Sequence, residues 1–178
     1  MPAQFWVSEV TSPGQGAGAA SSNISTAVDI SPANPQYLTV PPLYVGQKLY
    51  LVAYGIYSNT GGPPTLNLGF YYGGVAGTAL LTSGVITTTS SSASWPWHME
   101  AWVEVKTLGT SGTVWSKGWL DLPTGLTSIA RSSMPATQTQ PITVDTTTAK
   151  AITAGATHGT AASGNTITCE GFHVIALN

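Results

Sequence analysis

The feature that most constrains the fold is the stretch 45–74, in which two apolar strands lie close together along the chain. Residues 48–57 carry apolar or aromatic side chains at both odd and even positions, which predicts a strand covered on both faces. The run 58–64 is rich in Gly and Pro and ends that strand, because Gly permits positive φ and Pro lacks an N–H donor. Residues 65–72 then predict a return strand. We expect the remaining strands to pack against this pair.

A second hairpin follows from the clearest alternation in the chain. Residues 97–106 place apolar side chains at odd positions and mostly polar ones at even positions, which indicates a strand with one wet face. A Gly-rich turn at 109–112 leads to a return strand at 113–122. Residues 123–141 are interpreted as a loop. Further strands are predicted at 36–40, 78–87, 142–144, 149–157 and 165–177.

The spacing of these strands defines the fold class. Strands separated by frequent turn signals, without an amphipathic helix, predict an all-β protein. We expect an antiparallel β-sandwich, a jelly roll of about eight strands, over residues 34–178. Residues 1–33 are interpreted as an extended N-terminal arm, tipped by Phe5, Trp6 and Val7 and tethered by a stretch rich in Gly, Ala, Ser and Thr. The arm either docks on a neighbouring molecule or folds back on its own domain.

The composition limits the classes of partner. Charged residues make up 7% of the chain, whereas about 25% is usual. Such a neutral surface indicates a chain covered by copies of itself or by another protein. The five basic residues are scattered, which argues against nucleic-acid binding. No apolar run approaches the ~20 residues of a membrane span, and no signal peptide is visible, so we expect synthesis in a cytoplasm and no membrane partner.

The titratable residues give little support to catalysis. Glu100 and Glu104 share one strand face, roughly 13 Å apart along it, which exceeds the carboxylate spacing of glycosidases. His98, Glu100 and His173 could hold a metal ion if their strands met, but a solvated face is the favoured interpretation. The single Cys169 excludes an internal disulfide and a cysteine-based zinc site. No nucleophile elbow or phosphate loop is present. We therefore expect no enzymatic activity, no metal and no cofactor.

Outward-facing aromatic residues are the remaining functional signal. Trp102 faces out from its strand, and Trp115 and Trp119 share one face of the returning strand. Together they would form an aromatic patch, which could be buried at an interface or stack on sugar rings. Burial is favoured. The predicted interface residues are Phe5, Trp6, Val7, Trp102, Trp115 and Trp119.

Five runs of the chain stand out together: VGQKL at 45–49, LGFYYGG at 68–74, Trp97 leading a strand to GTSG at 109–112, TVDTT at 143–147 and NTIT at 165–168. In these runs the chain resembles jelly-roll virion proteins of tailed bacteriophages. The resemblance covers about residues 34–178 and is structural rather than chemical. It implies a non-enzymatic head decoration (cement) protein, commonly a homotrimer, bound to the major capsid protein of a phage head. Such a protein is made in the host bacterial cytoplasm and resides in the virion. The alternative is a carbohydrate- or host-surface-binding module of a phage fibre or tail.

Overall fold

The protein is a β-sandwich of two antiparallel sheets. The computed structural model describes residues 26–32, 43–60 and 64–177, together with the backbone of three two-residue strands at 7–8, 21–22 and 39–40. Within these residues it contains fourteen strands, of which nine are three or more residues long, and no helix. The expected all-β fold class and antiparallel sandwich are therefore confirmed.

The larger sheet has eight strands. Its main path runs β1-β14-β5-β9-β10-β11, with β12 also paired to β10 and β2 to β14. Its strands are β1 (Val7–Ser8), β2 (Ser21–Ser22), β5 (Lys48–Ser58), β9 (Trp95–Thr107), β10 (Gly112–Gly125), β11 (Ser128–Met134), β12 (Ile142–Val144) and β14 (Thr166–Ala176).

The smaller sheet has six strands and covers the inner face of the larger one. Its main path runs β3-β13-β6-β7, with β4 paired to β13 and β8 to β6. Its strands are β3 (Val28–Asp29), β4 (Thr39–Val40), β6 (Thr65–Tyr72), β7 (Thr78–Thr82), β8 (Ile86–Thr87) and β13 (Lys150–His158).

The hydrophobic core lies between the two sheets. Phe70 of β6 stacks on Phe172 of β14 with ring centroids 5.6 Å apart, and both rings are fully buried. Each such side chain contributes about 1.5–3 kcal/mol through removal of apolar surface from water. The inner positions of β9, including Trp97 and Met99, complete the same cluster. One face of each sheet is thus committed to the core.

The first strand pair was predicted with the right bounds but the wrong pairing. Strands β5 and β6 belong to different sheets, so the connection at 58–64 crosses from one layer to the other and makes no hairpin. The expectation that β5 is covered on both faces is also wrong. Its inner residues are buried, whereas its outer residues are half-buried or, like Tyr54 at 41%, exposed. Aromatic and β-branched residues on that outer face satisfy strand propensity without a covering layer.

Three further details differ from the sequence expectations. The predicted loop 123–141 contains β11, which pairs with β10 in register. The predicted strand 78–87 is divided into β7 and β8, with Gly84 at φ 70° between them. In β14 a bulge between Cys169 and Gly171 changes the phase of the strand, so Cys169 and Phe172 both face the core. An inserted residue reverses the alternation on which a simple period-2 reading depends.

The N-terminal segment follows the edges of both sheets. Strands β1 and β2 pair antiparallel with the two ends of β14, and β3 and β4 pair with β13. These additions occupy backbone groups that an open sheet edge would expose. Phe5 and Trp6 lie outside the described residues, so the docking of the arm tip remains a prediction.

Candidate functional site

The outer surface of four neighbouring strands, β5, β9, β10 and β11, forms a continuous aromatic and charged surface that we call the aromatic face. Every second residue of these strands points away from the core, because the strand period is two. The inner partners of the same strands are buried. The members of the aromatic face are Lys48, Tyr50, Tyr54, His98, Glu100, Trp102, Glu104, Lys106, Trp115, Lys117, Trp119, Asp121 and Arg131.

A row of rings crosses the aromatic face from strand to strand. The ring centroids of Tyr50 and Trp102 are 4.8 Å apart, and those of Trp102 and Trp119 are 5.3 Å apart. The guanidinium carbon of Arg131 lies 5.5 Å from the centroid of the Trp119 ring. Aromatic pairs and cation–π contacts at these distances are each worth about 0.5–1.5 kcal/mol. The row therefore holds its side chains in place before any ligand arrives.

Two polar pairs fix the ends of this row. The Tyr50 hydroxyl donates a hydrogen bond to Glu100 Oε2. Burial, the hydrogen bond to Glu100 and the charge of that carboxylate raise the pKa of Tyr50 to about 12. At the other end, Arg131 donates two hydrogen bonds to Asp121, of 2.8 and 2.9 Å. The exposed pair adds little to stability, but its bidentate geometry orients the guanidinium over the indole.

The charge on the aromatic face is unevenly compensated. Lys106 Nζ lies 2.8 Å from Glu104 Oε1, and this contact lowers the pKa of Glu104. Lys117 is exposed, and within the described residues it makes no ion pair or hydrogen bond. It lies directly opposite Trp102 in register and stands between Trp115 and Trp119 along β10. Lys117 is thus an uncompensated cation whose neighbours in register on the aromatic face are three tryptophans.

One further donor on this face has no partner. The Trp119 Nε1 atom is buried and makes no hydrogen bond to the described residues. Buried indole N–H groups normally find an acceptor, because an unmade hydrogen bond costs about 1–3 kcal/mol. The Trp119 N–H is therefore a buried donor that the described residues leave unsatisfied.

The structure does not assemble the metal site that was considered from the sequence. His173 and Glu100 flank β5, each opposite Val52, and His98 lies two residues from Glu100. His173 stacks on Tyr54 at 5.9 Å. Among the described residues, no three His, Cys, Asp or Glu side chains come close enough together to hold a metal ion.

The predicted interface residues fall into two groups. Trp102 and Trp119 are in ring contact, and Trp115 is exposed at 40% on the same face. Of the three predicted interface residues in the arm, Phe5, Trp6 and Val7, the structure describes only the backbone of Val7, which lies opposite Ile175 in β14.

Sequence reasoning missed two members of the row. Tyr50 was assigned to a covered strand face and Arg131 to a loop, although alternation within 128–134 offered a weak strand signal.

Comparisons with known protein families, with curated proteins and with solved structures gave no match for this chain. Within the described part of the chain, no helix is long and apolar enough to cross a membrane.

Proposed function

We propose that the protein is a non-enzymatic structural protein of a phage virion. In this proposal a homotrimeric jelly roll decorates the capsid and stabilises it by bridging subunits of the major capsid protein. The observation that supports it best is the placement of exposed apolar side chains in two separate regions of one rigid sandwich. A protein that links two neighbours needs two such regions, since each must bury apolar surface against a different subunit.

The first region surrounds the edge strand β11. Leu126, in the turn before β11, is 94% exposed, and Ile129, within it, is 70% exposed. Val85 is 72% exposed and lies two residues after Ser83. The Ser83 carbonyl oxygen accepts a hydrogen bond from the Ser132 hydroxyl of β11, which connects this segment to the edge strand. These are the three most exposed of the large hydrophobic residues. On an edge strand, such side chains suit docking against another protein.

The second region lies at the opposite end of the larger sheet. Tyr44, Val45 and Leu108 are each about half exposed, at 45%, 59% and 51%. The Gly46 N–H donates to the Val105 carbonyl oxygen, which holds residues 44–45 beside the end of β9. Strand β10 separates this end from the Leu126 turn by roughly 40 Å, at about 3.3 Å per residue. The two regions therefore face different neighbours.

The decisive experiment uses heads of the encoding phage that lack the protein. Adding the purified chain is expected to restore resistance to heat-induced DNA release. We expect the double variants Leu126→Ser/Ile129→Ser and Val45→Ser/Leu108→Ser each to fail, because bridging requires both regions. Ser128→Ala, a change of an exposed polar residue at the start of β11, two residues after Leu126, is the matched control and should behave like the wild type. Stabilisation by both double variants would refute the proposal.

Two supporting measurements separate its parts. Light scattering should give a mass of three times the 18.3 kDa chain, whereas a monomer would contradict the homotrimer. Quantitative mass spectrometry of virions should give a copy number that is a simple fraction of the major capsid protein. A few copies per particle would instead assign the chain to a tail or fibre.

A further inference from the structure

We propose that the aromatic face binds a glycan that carries carboxylate groups. This inference goes beyond the capsid role and does not depend on it, because it concerns the middle of the aromatic face around Trp102. Of the docking residues, Ile129 also projects from this face, but at its β11 edge. It rests on three features of the aromatic face: its charge, its exposed rings and the uncompensated cation at its centre.

The charge distribution sets this face apart from the rest of the molecule. The chain has twelve charged residues, five basic and seven acidic. Seven of them project from the aromatic face: Lys48, Glu100, Glu104, Lys106, Lys117, Asp121 and Arg131. The strands of the smaller sheet carry only Asp29 and Lys150. Since the cores of protein–protein interfaces are depleted in charge, this distribution favours a hydrated, polar ligand on the aromatic face.

The exposed rings supply the apolar part of the recognition. Trp102 and Trp115 are 38% and 40% exposed and lie on adjacent strands, with Lys117 opposite Trp102. A pyranose ring presents an apolar face of C–H groups that can stack on an indole, while its hydroxyls need donors and acceptors around that ring. Tyr50 and Trp119 hold Trp102 from both sides. Little side-chain entropy is therefore lost when a sugar stacks on it.

The polar groups around the rings select the charge of the sugar. Glu104 is paired with Lys106, Asp121 with Arg131, and Glu100 with the Tyr50 hydroxyl. These carboxylates can still accept hydrogen bonds from sugar hydroxyls, since each oxygen has two lone pairs. Among the described charged residues of the aromatic face, Lys117 is the one that makes neither an ion pair nor a hydrogen bond. A sugar carboxylate would form an ion pair with Lys117, which favours a uronate or a sialic acid over a neutral sugar.

The shape of the site indicates the form of the ligand. The aromatic face is the open surface of four paired strands, spaced about 4.8 Å apart. A surface of this kind fits an extended oligosaccharide that lies across several strands better than a single enclosed sugar. The donors of Lys117 and Arg131, which lie four residues apart in register along β10, then contact different sugar units of the same chain.

The test is a titration of the full chain monitored by tryptophan fluorescence and calorimetry. The probes are an oligogalacturonate, 3′-sialyllactose and, as the neutral control, maltohexaose. We expect binding of at least one acidic probe, weakening as salt is added, and no comparable binding of maltohexaose. The acidic probe that binds identifies the source of the carboxylate. Equal binding of the neutral probe, or no binding of either acidic probe at millimolar concentration, would overturn the proposal.

Variants locate the site. Lys117→Gln should weaken binding of the acidic probe by about tenfold or more, because a hydrogen bond to a charged group is lost. Trp102→Ala should also weaken it by about tenfold through loss of stacking. Lys150→Gln, which removes a cation from the smaller sheet, is the matched control and should leave affinity unchanged. Lys117 is exposed, so its variant will fold, and unchanged affinity in that variant would contradict the assignment.

Discussion

Replacing His158 with leucine should make the protein more stable. It is the last residue of β13, lies opposite Leu66 and is fully buried on the core side of its strand. Neither of its ring nitrogens has a hydrogen-bond partner among the described residues. Each orphaned polar atom costs about 1–3 kcal/mol. Because leucine is similar to histidine in volume but is branched where imidazole is flat, its imperfect packing should offset part of the gain from removing these atoms. We expect His158→Leu to gain about 2 kcal/mol at pH 7, or roughly 4–8 °C in melting temperature.

The same residue should make stability depend on pH. Burial lowers the pKa of His158 below its usual value of 6.5. Above pH 6.5 the ring is neutral in both the folded and unfolded states, and its contribution does not change with pH. Below pH 6.5 the unfolded chain binds the proton and the folded chain resists it, so stability falls as the pH falls. The loss is about 1.4 kcal/mol per pH unit while the folded ring stays neutral, or up to about 2 kcal/mol by pH 5.

Thermal unfolding followed by circular dichroism between pH 7.5 and pH 5 measures both effects. The difference between His158→Leu and the wild type should widen as the pH falls. His158→Gln is the control, because it keeps a buried polar group but cannot titrate. It should lack both the gain at pH 7 and the added pH dependence. A leucine variant that is less stable at pH 7 and retains the wild-type slope would refute the reasoning.

Three other predictions follow from single contacts. Gly55→Ala should destabilise the fold by about 1–3 kcal/mol in denaturant unfolding, because a Cβ there would collide with the backbone carbonyl oxygen of Thr168. An unchanged midpoint would contradict that contact. Cys169 should react with a thiol reagent at pH 8 only after denaturation, since burial raises its pKa to about 12. Rapid labelling of the native protein would show that the site is open. Glu100→Gln should lower the pKa of Tyr50 from about 12 in a spectrophotometric titration, though not to 10, because burial is the larger cause of the shift; an unchanged Tyr50 titration would contradict that role of Glu100.

The parts of the fold that local patterning controls were predictable from the sequence. The hairpin of β9 and β10 was predicted because its alternation persists over the strand and a Gly-rich turn joins the pair. The crossing of the chain between β5 and β6 was not, since a seven-residue Gly/Pro connection fits either a hairpin or a change of layer. Sheet partners are decided by contacts distant in sequence, which alternation within one strand cannot report.

The candidate site was predictable only in part, for a related reason. Three tryptophans were assigned to one surface, and the structure brings Trp102 and Trp119 into contact. Tyr50 and Arg131 come from strands on either side of that pair, and their place in the row depends on the order of strands in the sheet. Register then sets Lys117 opposite Trp102. The uncompensated cation, on which the choice of ligand depends, is therefore a property of the sheet and not of any single stretch of sequence.

The two proposals divide the surface of the molecule in a way that follows from its charge. Because the chain has so few charged residues, its solubility depends most on the surface where they are concentrated. Most of them lie on the aromatic face. A face that stays hydrated is available to a soluble ligand after the protein has assembled. Leu126 and Val45 lie at opposite ends of the sheet, where contact with neighbours would leave the row around Trp102 open. Binding of an acidic glycan should therefore be the same for the free protein and for decorated heads, and Lys117→Gln should weaken it by about tenfold or more in both without affecting attachment to the head.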